Sequence, residues 1–417
     1  MFANHSRVAK KRTGIWVVLC LLLASAIGCA RATPTPEPVT ISFAHPNFDQ
    51  EYYQGLVQTF NESFPYITIE LQPKRWDMLG GLGAGNADTY VTSQFALSWL
   101  QEQGNVLNLT PFIEQDESFN LADFASGTVD MYTKEGKIWG IPSGVDLMVM
   151  YYNQDLFDEM DAPYPQEGWT WNDFLETAIM VSDPNDGVFG YAPNYELFDP
   201  LLFIYQHGGR IFDDLQNPTR TTFDDPLTIE ALEWFAALIF RHNVAPSPEQ
   251  AREAFGRGGS LQVGVLQNKA AMWTGMLSER GGRGWPVDWD MRWGVVPLPE
   301  DRQSATLSLV DGYFISAQAQ HPEACWEWVS FLSQRSPGRQ VPVRTSLLNS
   351  AEYERQVGEQ IASAARSSLD GALLLSPELA EFEPVLETFG NAFLAIVNER
   401  STPEEAMVWA QQQSDFK

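Results

Sequence analysis

Val39-Thr-Ile-Ser-Phe-Ala44 alternates apolar and polar residues and reads as a strand. Between Glu51 and Phe64, the side chains of Leu56, Val57, Phe60 and Phe64 share one helical face. Ile67, Ile69 and Leu71 alternate again. Strand, helix and strand within about 35 residues make a βαβ unit and predict a parallel sheet. The theme recurs along the chain. Asp88-Thr-Tyr-Val-Thr92 reads as a strand and is followed by a helix through Trp99 to Gln103, closed by Gly104. Trp293–Pro297 and Tyr313–Ser316 read as strands, and Pro322–Ser333 as a helix. In the tail, Val385, Leu386, Phe389, Phe393, Ile396 and Val397 share a face. Thr402-Pro-Glu-Glu405 is a capping box with proline at the first helical position. No repeat period and no long internal linker is visible. The pattern is that of one compact α/β assembly of two lobes.

The start of the chain is different in kind. Arg7, Lys10, Lys11 and Arg12 precede Gly14-Ile-Trp-Val-Val-Leu-Cys-Leu-Leu-Leu-Ala-Ser-Ala-Ile-Gly28 and then Cys29. A basic start, a short apolar run and small residues at its end read as an export signal. The run falls short of the ~20 residues that a membrane span needs. Ala26-Ile-Gly-Cys29 resembles a bacterial lipoprotein box, in which the cysteine sulfur is diacylated. Ordinary cleavage after Ala26 or Ala32 is the rival reading. Residues 1–28 are accordingly read as the signal. Residues 29–38, with Ala30-Arg-Ala-Thr-Pro-Thr-Pro-Glu-Pro38, read as a proline-rich tether.

Composition narrows the function classes. The chain carries −28, and losing the four basic residues of the signal leaves 22 Lys and Arg against 54 Asp and Glu, a balance of −32. Phosphate contacts need clustered cations, so nucleic acid is excluded as a partner, and adhesion to anionic lipid with it. The expected membrane contact is through the lipid alone. Beyond Cys20 and Cys29 only Cys325 remains, so the body has no internal disulfide. Cys325 lies on a helical pattern with Trp328, Val329 and Leu332 and reads as a buried apolar residue.

Motifs of catalysis are poorly represented. His45, His207, His242 and His321 show no metal spacing, and there is no C-x-x-C pair. No cofactor and no metal is expected. There is neither a G-x-S-x-G elbow nor a phosphate loop. The run Gly80-Gly-Leu-Gly-Ala-Gly85 precedes a strand rather than following one and reads as a flexible loop. Acidic residues are abundant, and nothing singles out a glycosidase pair. Aromatic residues are the positive signal, at 12% of the chain with 14 tryptophans. Flat rings suit the C–H faces of sugars while Asp, Asn, Gln and Arg take the hydroxyls. Most such rings are core. Trp139, Trp169, Trp171, Trp326 and Trp328 fall inside regular patterns and read as structural, whereas Trp76, Trp273 and Trp285 fall at or after loops.

Several stretches taken in order carry a family resemblance. They are Gly136-Lys-Ile-Trp-Gly-Ile-Pro142, Met150-Tyr-Tyr-Asn-Gln-Asp-Leu-Phe157, Trp169-Thr-Trp-Asn-Asp-Phe174, Gly190-Tyr-Ala-Pro193, Asn268-Lys-Ala-Ala-Met272, Gly294-Val-Val-Pro-Leu-Pro299, the run from His321 to Phe331, and Val341-Pro-Val-Arg-Thr-Ser346. From about residue 38 onward the chain resembles family 1 extracellular solute-binding proteins of bacterial ABC sugar importers, the maltose-binding-like group. It departs at Asn268, where glycine is usual, and at Val310-Asp-Gly312, where a glycine pair is common.

The resemblance implies an α/β, two-lobed periplasmic-binding-protein-like fold (type II), with three hinge crossings and a cleft between the lobes. The crossings fall near Val145–Met148, Val295–Leu298 and Val341–Ser350. One lobe would comprise 39–145 plus 298–345 and the other 146–297 plus 346–417. It further implies a monomeric receptor rather than an enzyme. The receptor closes on a mono- or oligosaccharide and delivers it to ABC transporter permease subunits, held by lipid at Cys29 in the periplasm or at the outer cell surface. By motif position the ligand-binding candidates are Asn47, Arg75, Trp76, Ser93, Gln94, Asp146, Tyr195, Trp273, Trp285, Asp311 and Arg344. The aromatics are expected to stack, Asp146 and Asp311 to accept from hydroxyls, and Arg75 and Arg344 to donate. Tyr152-Asn153 is expected to be structural. Two other readings remain open at this level: a receptor of the same fold for a polyamine, glycerol phosphate or peptide-like solute, and a secreted carbohydrate-active enzyme.

Overall fold

The computed structural model describes residues 37–75, 86–183, 185–195, 198–256, 258–376 and 383–414. The signal, most of the tether, Cys29, Trp76 and the 80–85 glycine run lie outside the described residues. The described residues from Thr40 onward form one compact unit.

The opening βαβ pattern folds as read. β1 (Val39–Pro46) leads through a short 3-10 turn into the helix Gln50–Ser63, and β2 (Ile67–Lys74) follows. β2 lies at the end of the sheet and alternates, burying Ile67 and Ile69. β1 is buried on both faces from Ile41 to Pro46, as an inner strand must be. β3 (Thr89–Ser93) runs parallel to it, with Phe43 opposite Thr89. A two-residue pair, β4 (Thr133–Lys134) and β5 (Lys137–Ile138), makes a small separate hairpin.

The centre of the sheet rests on two long strands. β6 (Ile141–Asn153) is 13 residues long, and all but Asp146 are buried. Its first half pairs antiparallel with β10 (Thr306–Ile315), from Tyr313 opposite Ile141 to Ser308 opposite Leu147. From Met148 onward it exchanges that partner for two others. β8 (Ala270–Met276) takes one edge, Met148 facing Met276, and β9 (Trp293–Val296) the other, Asn153 facing Trp293. β7 (Phe189–Ala192) runs parallel to β8, and β11 (Ala372–Leu374) parallel to the start of β10. The strand order is β2-β1-β3-β10-β6-β8-β7. The expected parallel sheet is therefore corrected to a mixed one. The βαβ signal reports parallel neighbours at β1/β3, whereas β10 enters antiparallel to both β3 and β6. The Tyr313–Ser316 strand begins earlier than its alternation suggests, at Thr306.

Local sequence explains the helix ends. Asn153 accepts from the amides of Asp155 (3.0 Å) and Leu156 (3.3 Å), so it caps the helix Gln154–Glu159, the structural role expected of it. Thr170 and Asp173 form a capping box on Trp171–Met180, and Thr402 with Glu405 another on Pro403–Gln413. Asn268 stands at φ 56°, a left-handed turn that glycine adopts without strain and asparagine tolerates; its side chain also accepts from Asn153 Nδ2 at 2.8 Å. That conformation accounts for the departure from glycine at this position. The helix Pro322–Ser333 buries Cys325 fully, and burial pushes its thiol up. Its Trp328 packs edge-on against Phe43 (5.6 Å) and Phe60 (5.0 Å). A second aromatic core lies beyond the β6 change-over, where Trp171 stacks on Trp234 at 4.2 Å and Phe174 packs on Tyr191 at 5.2 Å. Trp139, expected in a core, is only half-buried.

Candidate functional site

Ligands of α/β sheets collect beyond the carboxyl ends of strands, and here several such ends converge on the point where β6 changes partners. Asp146 stands at that point. It accepts from the Ser278 amide at 3.0 Å and from the Ser278 hydroxyl. Ser278 follows β8 on the 3-10 turn Leu277–Glu279. The run Glu279-Arg-Gly-Gly-Arg-Gly-Trp285 then loops back, with Gly281, Gly282 and Gly284 all at positive φ. A Cβ on Gly282 would strike Trp289 at 2.8 Å, and one on Gly275 would strike Glu279 at 2.9 Å. Glycine thus lets this loop lie against its own aromatic ring.

Four carboxyls gather here. Burial raises Glu279 to about 7, and the charge of Asp146 adds to the rise. Burial likewise raises Asp311 to about 7; a hydrogen bond from Gln340 (2.6 Å) opposes this, and Asp146 and Asp49 reinforce it. Asp146 itself is raised by burial against its two Ser278 bonds. Asp49 is raised by burial and pulled back by Arg283. Three arginines answer them. Arg339 donates to the carbonyls of Ser278 (2.7 Å) and Arg280, while Arg280 donates to those of Leu277 (2.9 Å) and Arg339 (2.5 Å). Burial, with Arg280 and Arg283 nearby, lowers Arg339 to about 10. Arg283 reaches the other way, to Asp49 at 2.7 Å and the Phe48 carbonyl at 2.8 Å.

An aromatic wall backs the loop. Trp289 presents its edge to Tyr151 (4.9 Å), Trp273 (5.2 Å), Trp285 (5.1 Å) and Trp293 (5.7 Å). The buried indole nitrogens of Trp273 and Trp289 have no hydrogen-bond partner, while the Trp285 indole lies against the Glu279 carboxyl and opposes its rise. Among the described residues no group of three or more His, Cys, Asp or Glu could hold a metal ion. No helix among them is long and apolar enough to cross a membrane.

The expected site residues divide into three groups. Asp146, Asp311 and Trp285 come together at this cluster. Trp273 joins it as buried backing, stacked on Tyr151 at 5.9 Å, so it supports the wall rather than offering a face. Asn47 lies exposed on the turn that also carries Asp49, and Arg75 is exposed after β2. Ser93 caps the turn after β3. A second set is committed elsewhere. Gln94 is fully buried; its amide bonds the Leu375 carbonyl (2.6 Å) and its oxygen the Val310 amide (2.7 Å), which ties β10 to β3. Tyr195 donates to the Pro246 carbonyl. Arg344 is corrected most sharply. It is 5% exposed, sandwiched against Phe119 and Phe124, and donates to Ser333 (2.8 Å), Asn120 (3.1 Å) and Asp123 (3.4 Å). No donor of it faces the cluster. Trp76, the third group, falls outside the described residues. Sequence reasoning missed Asp49, Glu279, Arg280, Arg283, Arg339 and Gln340. The local signal was the glycine-rich run around Arg283.

A mixed sheet whose central strand changes partners in this order is the architecture of the type II periplasmic-binding-protein-like fold. The fold matches the ABC substrate-binding protein from Listeria monocytogenes in complex with cycloalternan (TM-score 0.72, 21% identity, 90% of this chain and 98% of that one). The chain belongs to the bacterial extracellular solute-binding protein family, whose pattern it matches over residues 47–336. Among curated relatives, the arabinooligosaccharide-binding protein of Halalkalibacterium halodurans is 25% identical over 206 residues, 47% of this chain and 44% of that protein. The arabinooligosaccharide-binding protein of Bacillus subtilis is 21% identical over 275 residues, 61% and 62% respectively. The chain thus spans less than two thirds of the length of these two relatives.

Proposed function

We propose that this chain is an extracytoplasmic receptor that captures a neutral oligosaccharide by hinge closure and hands it intact to the permease subunits of an ABC importer. The observation that carries the reading is the cluster at the β6 change-over. Glu279 and Asp311, raised to about 7, supply acceptors, and once protonated donors, without the full charge of ionised carboxylates. The half-buried Trp285 beside them offers an apolar face. The arginines' named donors go to backbone carbonyls and to Asp49, which disfavours an anionic guest. The family's members and the two curated relatives point the same way.

In this reading the lobes are 39–145 with 298–345 and 146–297 with 346–417, and β6 is a shared hinge element. Closure from 1:99 to 99:1 requires about 5.5 kcal/mol of preference for the closed state. Two or three stacking contacts of ~0.5–1.5 kcal/mol, with several hydrogen bonds of ~1 kcal/mol, reach that figure. The chain is a monomer, anchored by lipid on Cys29, and it performs no chemistry on its guest.

The test is a thermal-shift screen with arabino-oligosaccharides, maltotetraose and cycloalternan, together with spermidine and glycerol phosphate, followed by product analysis of every hit. A shift with an unaltered saccharide is expected. A shift only with the amine or the phosphate, or a cleaved saccharide, would overturn the reading. Mass spectrometry of the membrane-extracted protein should find a diacylated Cys29; an unmodified N-terminus would remove the anchor.

A further inference from the structure

Most contacts of the loop after β8 are made close to β6. Ser278 meets Asp146 on β6 itself, and Arg280 exchanges carbonyl bonds with Arg339, two residues before the Val341–Val145 backbone pair (2.8 and 3.0 Å). Arg283 is different. It reaches Asp49 and Phe48, which follow β1, and β1 is separated from β6 by β3 and β10. The contact is thus made to a segment that follows β1, though Asp49 also lies within electrostatic reach of Arg339. The Arg283 guanidinium also lies over the Phe48 ring at 5.3 Å. Both charged partners keep a quarter to a third of their side-chain surface in water, at 34% and 25% exposure.

We propose that Arg283 is a positioning residue for closure, bridging the two banks of the cleft through Asp49 and Phe48 before any ligand arrives. The proposal rests on the hinge-closing reading above. A contact within the crossing itself survives rotation with little change, whereas one that joins the segment after β8 to the segment after β1 separates when the banks part. The Arg283 bridge therefore biases the unliganded protein toward the closed form. Apparent affinity scales with the fraction already closed, so the bridge also tightens binding while Arg283 acts on the bank rather than on the guest. An ion pair of this exposure is screened by salt, so the bias weakens as ionic strength rises.

Small-angle scattering of the sugar-free protein reads the bias directly. The wild type should be compact at low salt and larger at high salt. Arg283→Ala and Asp49→Asn should be larger at both, and Arg283→Lys intermediate. The exchanged pair Asp49→Arg with Arg283→Asp should restore the compact form, which a merely structural arginine would not do. Unchanged melting temperatures verify folding. For the saccharide that binds among maltotetraose, arabino-oligosaccharide and cycloalternan, Arg283→Ala should weaken apparent affinity about three- to thirtyfold. If the sugar-free wild type and Arg283→Ala have the same dimensions at both salts, the bridge is refuted; saturating saccharide that then compacts both leaves the hinge reading standing. If no variant, salt or saccharide changes the dimensions, hinge closure falls and the bridge with it.

Discussion

Two tryptophan clusters in this molecule treat their polar atoms in opposite ways. Beyond the β6 change-over, Trp169 donates its indole N–H to the Pro297 carbonyl and Trp171 donates to Gln206, both at 2.8 Å. Around Trp289, the indoles of Trp273 and Trp289 are buried with no partner, beside carboxyls raised by burial. A buried donor left unmet costs free energy, so a native protein keeps such groups only where something compensates. The first cluster is closed on itself and holds the body together. The second remains incomplete, which is what a site for a guest requires. An orphaned indole alone is not the discriminator: Trp328 has one enclosed among Phe43, Phe60 and Phe331. The conjunction of unmet donors with carboxyls raised by burial is what supports the site proposed there.

That contrast can be broken most forcefully from the closed side. Phe174→Ala removes a fully buried ring from the satisfied cluster and should cost about 3–5 kcal/mol, read as a large fall in melting temperature by calorimetry. Should the protein melt normally, the cluster is not the structural core claimed for it. On the open side the expectation inverts. Trp285→Ala should leave the melting temperature nearly unchanged and weaken saccharide binding by about 1.5–3 kcal/mol, measured by titration calorimetry. Equal affinity would remove Trp285 from the site. A finer test returns to the closed cluster: Trp171→Phe strands the Gln206 oxygen and should cost about 1–3 kcal/mol of stability without altering affinity.

The gentlest test is pH. Glu279 and Asp311 titrate near 7 when folded and near their ordinary carboxylate range when unfolded, so between about pH 4 and pH 7 the folded state holds more protons. Their contribution is complete below the unfolded values and is lost as pH rises through the folded ones. Stability should therefore decline from about pH 4.5 toward 7.5 on their account, and Glu279→Gln with Asp311→Asn should flatten that slope. A slope unchanged in the double variant would mean that other groups set it.

Much of the scaffold could be read ahead of the structure because it is encoded over short distances. The βαβ start, the proline-led helix around Cys325 and the Thr402 capping box each depend on spacing within one or two turns. β6 escaped such reading. Its apolar run from Leu147 to Tyr152 does not alternate, since both faces are covered, and periodicity cannot separate a doubly buried strand from a buried helix. Arg344 followed a recognisable motif, yet its donors turn inward to Ser333 and Asn120 because Phe119 and Phe124 sandwich the guanidinium. Asp49 and Arg283 are 234 residues apart, two ordinary charges in an acidic chain.

By itself, then, the sequence determined the family, the α/β character and the positions of several helices and strands, because periodicity, caps and ordered motifs are local properties of the chain. The tertiary structure alone decided which charged side chains face one another, which arginine is committed to the core and which reaches Asp49, and which indoles remain unpaired. Those outcomes depend on pairing between distant strands and on desolvation at the place where they meet, and no short stretch of residues carries either.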